Sequence, residues 1–436
     1  MSKLALLGGE KAVTADPGDI FNWPIITKED EEAVLEVLRA GKMSGTDVTE
    51  QFEKEFAAWQ GAKYALGCNN GTNALHSAMW ACGVGRGTEI IGPSVTYWAS
   101  VMPALNLGAA INFADIDPQT LTIDPGDIEH RISKNTKAIV VVHLYGHPAN
   151  MDRIMAVAHK HKVKVIEDVS HAHGALYTGK RVGTFGDVAA MSMMSGKGFA
   201  IGEAGMLVTD NRQLYERAVA FGHYERTGKS RYSNAENAIS DEWLTEYAGL
   251  PLGGFKNRMH QLSSAVGRVQ LKHYDHRMAE IQKAMNHFWD LLQGVPGIKG
   301  HRVDRNSGST MGGWYLPAGL YNPEELGGLP VGKFCEAVMA EGIGGMCHPG
   351  INNPLHLHPI FHTADIYGEG KPTMLANTSR DIRQGEGALP VSEGIMQKTI
   401  WVPWFKHYRP EVIEEHAAAF RKVAENYKGL LETVGV

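Results

Sequence analysis

Lys197 stands alone. In "DVAAMSMMSGKGFAIGE" (187–203) it is the single ionisable side chain between Asp187 and Glu203, set between Gly196 and Gly198. The usual fate of a lysine is a solvated loop. An amine desolvated among apolar residues loses its proton more readily and becomes a nucleophile for a carbonyl. Two other stretches carry complementary chemistry. "VIEDVSHAHG" (165–174) closes an apolar run on Asp168, with His171 three residues later. The plain reading is a helix-capping aspartate beside a histidine; the chemical one is a carboxylate facing a cationic ring nitrogen. "NNGTNAL" (69–75) follows a strand-like run and opens a helical one. Gly71 permits close backbone approach there, and Thr72 adds an amide and a hydroxyl where a helix end attracts anions.

Taken singly, each has a structural explanation. Taken together they match what pyridoxal 5'-phosphate requires: helix-end donors for the phosphate, a carboxylate for the pyridinium, and a desolvated lysine for the aldehyde.

Elements must bring these together. "KYALGC", "KAIVVVH" and "VKVIED" are apolar runs of the kind buried on both faces of a sheet, and "NALHSAMWACG" and "NMDRIMAVAHKHK" have helical spacing. Strand and helix alternating with short links predict a largely parallel α/β sheet over about 64–210. In such a sheet, ligands sit at the carboxyl ends of the strands, where Asp168 and Lys197 fall. The long helical pattern 260–294 leads toward a smaller C-terminal α+β domain, and the division is expected as 1–272 and 273–436. Irregular glycine-rich segments at 226–254, 341–354 and 363–394 are expected to wall the site.

Composition narrows the class. The 436 residues are 43% hydrophobic and 21% charged, with net charge -6, a pI near 6.4 and mean hydropathy -0.22. This argues against nucleic acid or an anionic membrane as the partner. Cysteines 68, 82, 335 and 347 form no C-x-x-C pair and read as reduced thiols of a cytoplasmic protein. The opening "MSKLALLGGEKAV" lacks the apolar core of a signal peptide. "GVGRG" follows a helix and reads as a helix stop, no Walker loop is present, and "HLHPIFH" reads as a loop without metal.

The motifs "MSGTDVTEQFEKEFA", "NGTNAL", "PSVTYWAS", "VVHLYGHPANMD", "EDVSHAHGA", "SMMSGKGFAIGEAG" and "NRM…VGRVQL", in this order, resemble those of the DegT-type (DegT/DnrJ/StrS) sugar aminotransferases, a branch of the fold-type I pyridoxal-phosphate enzymes. The resemblance implies Lys197 as the Schiff-base lysine, Asp168 as partner of the pyridine nitrogen and His171 beside the phenolic oxygen. It implies Gly71, Thr72 and Ser192 as the phosphate cradle, and Tyr97, ahead of Trp98, as the ring-stacking aromatic. It also implies a homodimer with shared sites, in which Lys256 or Asn257 reaches the phosphate across the interface. The family's asparagine aligns with Lys256. Met193 and Met194 replace an aromatic and a His or Gln, and Ala204 replaces a glycine. Related dehydratases carry histidine at the lysine position, so Lys197 implies transfer of an amino group from L-glutamate or L-glutamine to a sugar or cyclitol ketone. A free cyclic ketone is favoured over a nucleotide-linked one, although "ERTGKSRY" (225–232) offers Arg226, Lys229 and Arg231 for a diphosphate. The alternatives are a non-catalytic cofactor-binding regulator and a lyase or dehydratase of the same fold. A desulfurase would need a mobile cysteine, and Cys68 reads as strand-end packing.

Overall fold

Alternation along the apolar runs sorts their side chains onto two faces of one sheet. The computed structural model describes residues 3–228, 239–350 and 352–434. Its seven-stranded sheet comprises β1 (Tyr64–Cys68), β2 (Glu89–Pro93), β3 (Ala110–Ala114), β4 (Thr136–Val142), β5 (Lys164–Asp168), β6 (Val188–Ser192) and β7 (Gly205–Thr209). In space the order is β1-β7-β6-β5-β4-β2-β3. β7 pairs antiparallel with both neighbours, and every other pairing is parallel. Six strands therefore end at one edge. Leu66, Ile90, Val140, Ile166 and Leu207 pack on one face, while Ile91, Ile139, Val141 and Val165 pack on the other. The expected parallel α/β sheet is what forms.

The strand ends feed helices. α1 (Lys28–Arg39) and α2 (Asp47–Gln60) precede the sheet, α3 (Gly71–Ala81) follows β1, α4 (Met151–His161) precedes β5, and α5 (Arg212–Gly222) follows β7. The edge strand β3 is capped by a side chain: Gln384 Oε1 accepts from Phe113 N–H at 2.8 Å, and its Nε2 donates to Phe113 O at 2.7 Å. One amide thus occupies hydrogen-bonding groups that an open edge would offer to another chain.

α6 (Gln261–Leu291) is 31 residues long and joins two cores. Its first half lies against α1 and α2, where Gln270 Nε2 donates to Asp30 Oδ1 and Thr49 Oγ1 meets Ser264 Oγ at 2.7 Å. Its second half buries Ile281, Phe288 and Trp289 with Phe334 of α7 (Val331–Val338) and Phe420 of α8 (Pro410–Glu425). An antiparallel sheet of β8 (Ile298–Gly300), β9 (Ala318–Tyr321) and β10 (Thr399–Trp401) completes this part. The expected cut at 272 therefore falls inside a continuous helix. The two cores also exchange chain: Leu4, Val13 and Ile20 pack into the C-terminal core, whereas Phe361, Met374, Ile382 and Leu389 return to the large sheet. Residues far apart in sequence fill each core, so a single cut does not separate them.

Candidate active site

The ends of β1, β5 and β6 meet at one edge. With the loop after β2, Tyr315, Asn352 and Trp401, they enclose a cavity of about 550 Å³. Gly71, Thr72, Tyr97, Asp168, His171, Ser192 and Lys197 all line it. Of the two candidate aromatics, Tyr97 lines the cavity and Trp98 is not among its lining residues.

Asp168 is the last residue of β5 and is 4% exposed. Ser100 Oγ donates to its Oδ2 at 2.7 Å, and Ser170 N–H donates to its Oδ1 at 3.0 Å. Thr96 Oγ1 lies 2.8 Å from Ser100 Oγ. Because Ser100 spends its only proton on the aspartate, Thr96 is the donor of that second bond. These two bonds fix the rotamer of the Asp168 side chain. The adjacent Glu167 points to the opposite face. It accepts the amides of Gly183, Phe185 and Gly186 and pairs with His143 Nε2 at 3.0 Å. Strand alternation thus gives one carboxylate to the cavity and its neighbour to the fold.

Lys197 is 8% exposed, and its Nζ lies 4.3 Å from the centroid of the Tyr315 ring. Burial pulls its pKa down to about 8, opposed only in part by the Asp168 charge. Its turn is locked from several sides. Lys197 N–H donates to Met194 O at 2.8 Å, Gly196 N–H points to Met194 Sδ at 3.0 Å, and Trp23 Nε1 donates to Lys197 O at 2.7 Å. The methionines standing in place of an aromatic and a polar residue therefore divide the work: Met193 is buried in the core and Met194 holds the lysine turn.

The anion turn depends on its glycine. A Cβ on Gly71 would lie 2.6 Å from Ser192 Cβ and 2.7 Å from Ser192 Cα. Asn70 caps α3 through Asn73 N–H at 2.8 Å, while the amides of Gly71 and Thr72 have no acceptor within the helix. Ala204, where the family has glycine, is fully buried with Met206 and Phe52. The following Gly205 is the constrained position: a Cβ there would sit 2.3 Å from Asn70 O.

His171 is buried, and its Nδ1 accepts the Tyr145 amide at 3.4 Å, which assigns the ring proton to Nε2. Burial and the nearby Lys197 charge push its pKa well below the ordinary histidine value, so the ring is neutral. Tyr315 packs edge-on against it at 4.7 Å.

Several expectations land elsewhere. Neither Lys256 nor Asn257 lines this chain's cavity. Asn257 is wholly buried, with Nδ2 on Ser77 Oγ at 3.2 Å and its backbone carbonyl accepting Asn69 N–H. Asn257 is thus packed within its own chain, whereas Lys256 is exposed. Arg226 is no groove residue: it is fully buried on Glu53 Oε2 at 2.5 Å, while Lys229 and Arg231 lie outside the described residues. Of the three segments expected as walls, 341–354 touches the cavity through Asn352, 363–394 covers β3, and no described residue of 226–254 lines the cavity. Cys68 is buried with its thiol pushed up by desolvation, unlike a mobile nucleophile. Sequence reasoning missed Ser100, Ser170 and Glu203, though each lies inside a quoted motif. Tyr315, Leu316 and Trp401 sit in stretches with no local signature.

A parallel sheet whose strand ends gather a desolvated lysine, a hydrogen-bonded aspartate and a helix-end anion turn defines a fold-type I pyridoxal-phosphate enzyme. The solved aminotransferase from Psychrobacter cryohalolentis superposes with a TM-score of 0.79 at 29% identity, covering 93% of this chain and 99% of its own. The chain belongs to the DegT/DnrJ/EryC1/StrS aminotransferase family, whose model matches residues 24–421. It is a pyridoxal-phosphate-dependent aminotransferase. The spore coat polysaccharide biosynthesis protein SpsC of Bacillus subtilis is 33% identical over 352 residues, 80% of this chain and 87% of that one. The L-glutamine:2-deoxy-scyllo-inosose aminotransferase of Streptomyces kanamyceticus is 34% identical over 350 residues, 78% of this chain and 79% of that one.

The side chains present fit the cofactor. The close approach of Gly71 to Ser192 forms a cradle that a Cβ would fill, beside amides with no acceptor within the helix. The cavity also holds the Asp168 carboxyl group and the Lys197 amine, which forms no ion pair among the described residues.

Proposed function

We propose that this chain, working as a cytoplasmic homodimer, moves an amino group from L-glutamine or L-glutamate to the ketone of a free cyclitol or sugar ring. Pyridoxal phosphate, when bound, supplies the electron sink that lets a Cα–H bond ionise. Gly71, Thr72 and Ser192 hold its phosphate, Asp168 holds its ring nitrogen protonated, and Tyr97 covers its face. His171, neutral and carrying its proton on Nε2, donates to the phenolic oxygen. Lys197 anchors the aldehyde and then, as a free amine with a pKa near 8, takes and returns the proton at the reacting carbon.

One observation carries the choice of acceptor. Among the described lining residues Lys197 is the only cation, and the remaining polar groups include the Glu203 carboxylate, the Asn352 amide and the hydroxyls of Thr96 and Thr72. Such a lining suits a neutral polyhydroxylated ring and opposes a diphosphate. The scyllo-inosose activity of the Streptomyces relative supports the same reading. The test converts the enzyme to its aminated form with L-glutamine or, separately, L-glutamate, then adds scyllo-inosose-type ketones or nucleotide-linked ketosugars while following the cofactor spectrum. Return of the starting spectrum with the free ring is expected. Recovery only with nucleotide sugars overturns the acceptor, and no response to either amino acid overturns the donor.

A further inference from the structure

Behind the loop that carries Tyr315 lies a second cavity of about 410 Å³. It sits between α6, the hairpin of Leu176–Tyr177 and Lys180–Arg181, and residues 302–314. Met278, Val303, Met311 and Trp314 make its lining largely apolar, and its size falls in the range of about 300–1,000 Å³ typical of small-molecule sites.

Three guanidinium groups, those of Arg181, Arg302 and Arg305, stand on its wall. Two carboxylates answer them. Asp290 takes Arg302 Nη1 at 2.9 Å and Arg305 Nη2 at 2.6 Å, and Asp275 lies 3.5 Å from Arg181 Nη2. One positive charge is left over. Arg181 Nη1 donates to Trp59 O and its guanidinium lies over the Trp59 ring at 4.5 Å, but its buried Nε has no partner among the described residues, a donor that costs free energy until something accepts from it. An apolar lining with surplus guanidinium donors is complementary to one class of small molecule.

We propose that this cavity binds a small amphiphilic anion, an apolar ring or short branched chain bearing one carboxylate, and that its occupancy is read at Lys197. The physical link is a single short loop. Trp314 lines the cavity, with Nε1 donating to Gln282 Oε1 at 2.7 Å, and the next residue is the Tyr315 that lies against Lys197 Nζ. Gly313, between Met311 and Tyr315, packs on Gly198: a Cβ there would be 3.4 Å from Gly198 Cα. Trp314 and Leu316 both hold left-handed backbone, with φ of 54° and 53°, so packing from both sides sets the loop's conformation. A ligand that moves Trp314 moves the ring beside the amine.

The test is calorimetric titration of the holoenzyme with phenylacetate, with phenylacetamide as the uncharged counterpart. Phenylacetate is expected to bind with a dissociation constant of about 1 mM or below, and phenylacetamide at least about tenfold more weakly. Ala279→Trp, which fills the cavity, should abolish binding while leaving transamination intact. The paired Arg302→Gln and Arg305→Gln changes, at the outer wall, should bring phenylacetate down to the level of the amide. Saturating phenylacetate should shift the pH midpoint of the cofactor's visible absorbance in the parent and not in Ala279→Trp. Equal binding of the two probes, no binding of either, or binding and spectral shift that survive Ala279→Trp would overturn the proposal. So would conversion of dimer to monomer by Ala279→Trp, which would mean that a second copy of the chain fills the cavity.

Discussion

Ser100 Oγ donates to Asp168 Oδ2 at 2.7 Å, joining the loop after β2 to the end of β5. The bond matters because a carboxylate that is to face a ring nitrogen must be correctly turned toward it. Asp168→Asn removes the charge and keeps the shape. Turnover is expected to fall by about 10²–10³, the scale of one lost electrostatic contact in a dry site. Ser100→Ala leaves the charge and removes one donor, at a cost of about 1 kcal/mol, or severalfold in rate. Steady-state rates on both variants, with thermal unfolding to confirm the fold, check this. Near-normal turnover in Asp168→Asn would show that another group protonates the ring.

The depressed pKa of Lys197 has a kinetic signature. With the value near 8 rather than the ordinary 10.5, the free-amine fraction rises tenfold per pH unit below pH 8 and then levels off. The rate at which cofactor-free protein takes up pyridoxal phosphate should follow that curve. A rate still climbing at about pH 10 would mean an ordinary lysine does the work. Borohydride reduction and peptide mapping should place the label on Lys197, and a label on Lys180 or Lys256 contradicts the assignment. The stability of the cofactor-free protein should rise with pH between 8 and 10.5, because there the unfolded lysine holds a proton that the folded one has released. That gain disappears as pH falls below 8. Lys406, buried over the Trp404 ring and also near 8, contributes to the same stability curve. Lys406→Gln separates the two, since it should leave the uptake profile unchanged.

Much of the site was legible because its chemistry sits at strand ends. Asp168, Ser192 and Gly71 fall where an apolar run stops, and the sheet brings such stops to one edge. The residues that complete it were hidden for a physical reason. Tyr315, Asn352 and Trp401 reach the cavity by long-range packing, and nothing in their local spacing encodes it. The 1–272 boundary falls inside α6 for a related reason: the helix runs unbroken from Gln261 to Leu291, and only tertiary contacts show that its two halves serve different cores.

Asn257 and Lys256 are neighbours of opposite burial, so one tests packing and the other tests the proposed contact with the cofactor phosphate. Asn257 is buried, with its Oδ1 unpartnered among the described residues and its Nδ2 on Ser77. Asn257→Ala should therefore lower the unfolding midpoint, by about 1–3 kcal/mol of stability, and its effect on cofactor affinity should follow from that loss. Lys256 is exposed on the single chain, and a cation reaching the phosphate of the partner subunit's cofactor acts as a point charge. Lys256→Met should leave the unfolding midpoint of cofactor-free protein unchanged and weaken cofactor binding by about tenfold, on the scale of one charge-assisted contact. The salt dependence of binding should flatten in the same variant, because a screened charge pair has been removed. Equilibrium titration with pyridoxal phosphate at low and high salt measures both effects. Unchanged affinity in Lys256→Met would assign the phosphate wholly to Gly71, Thr72 and Ser192 of one chain.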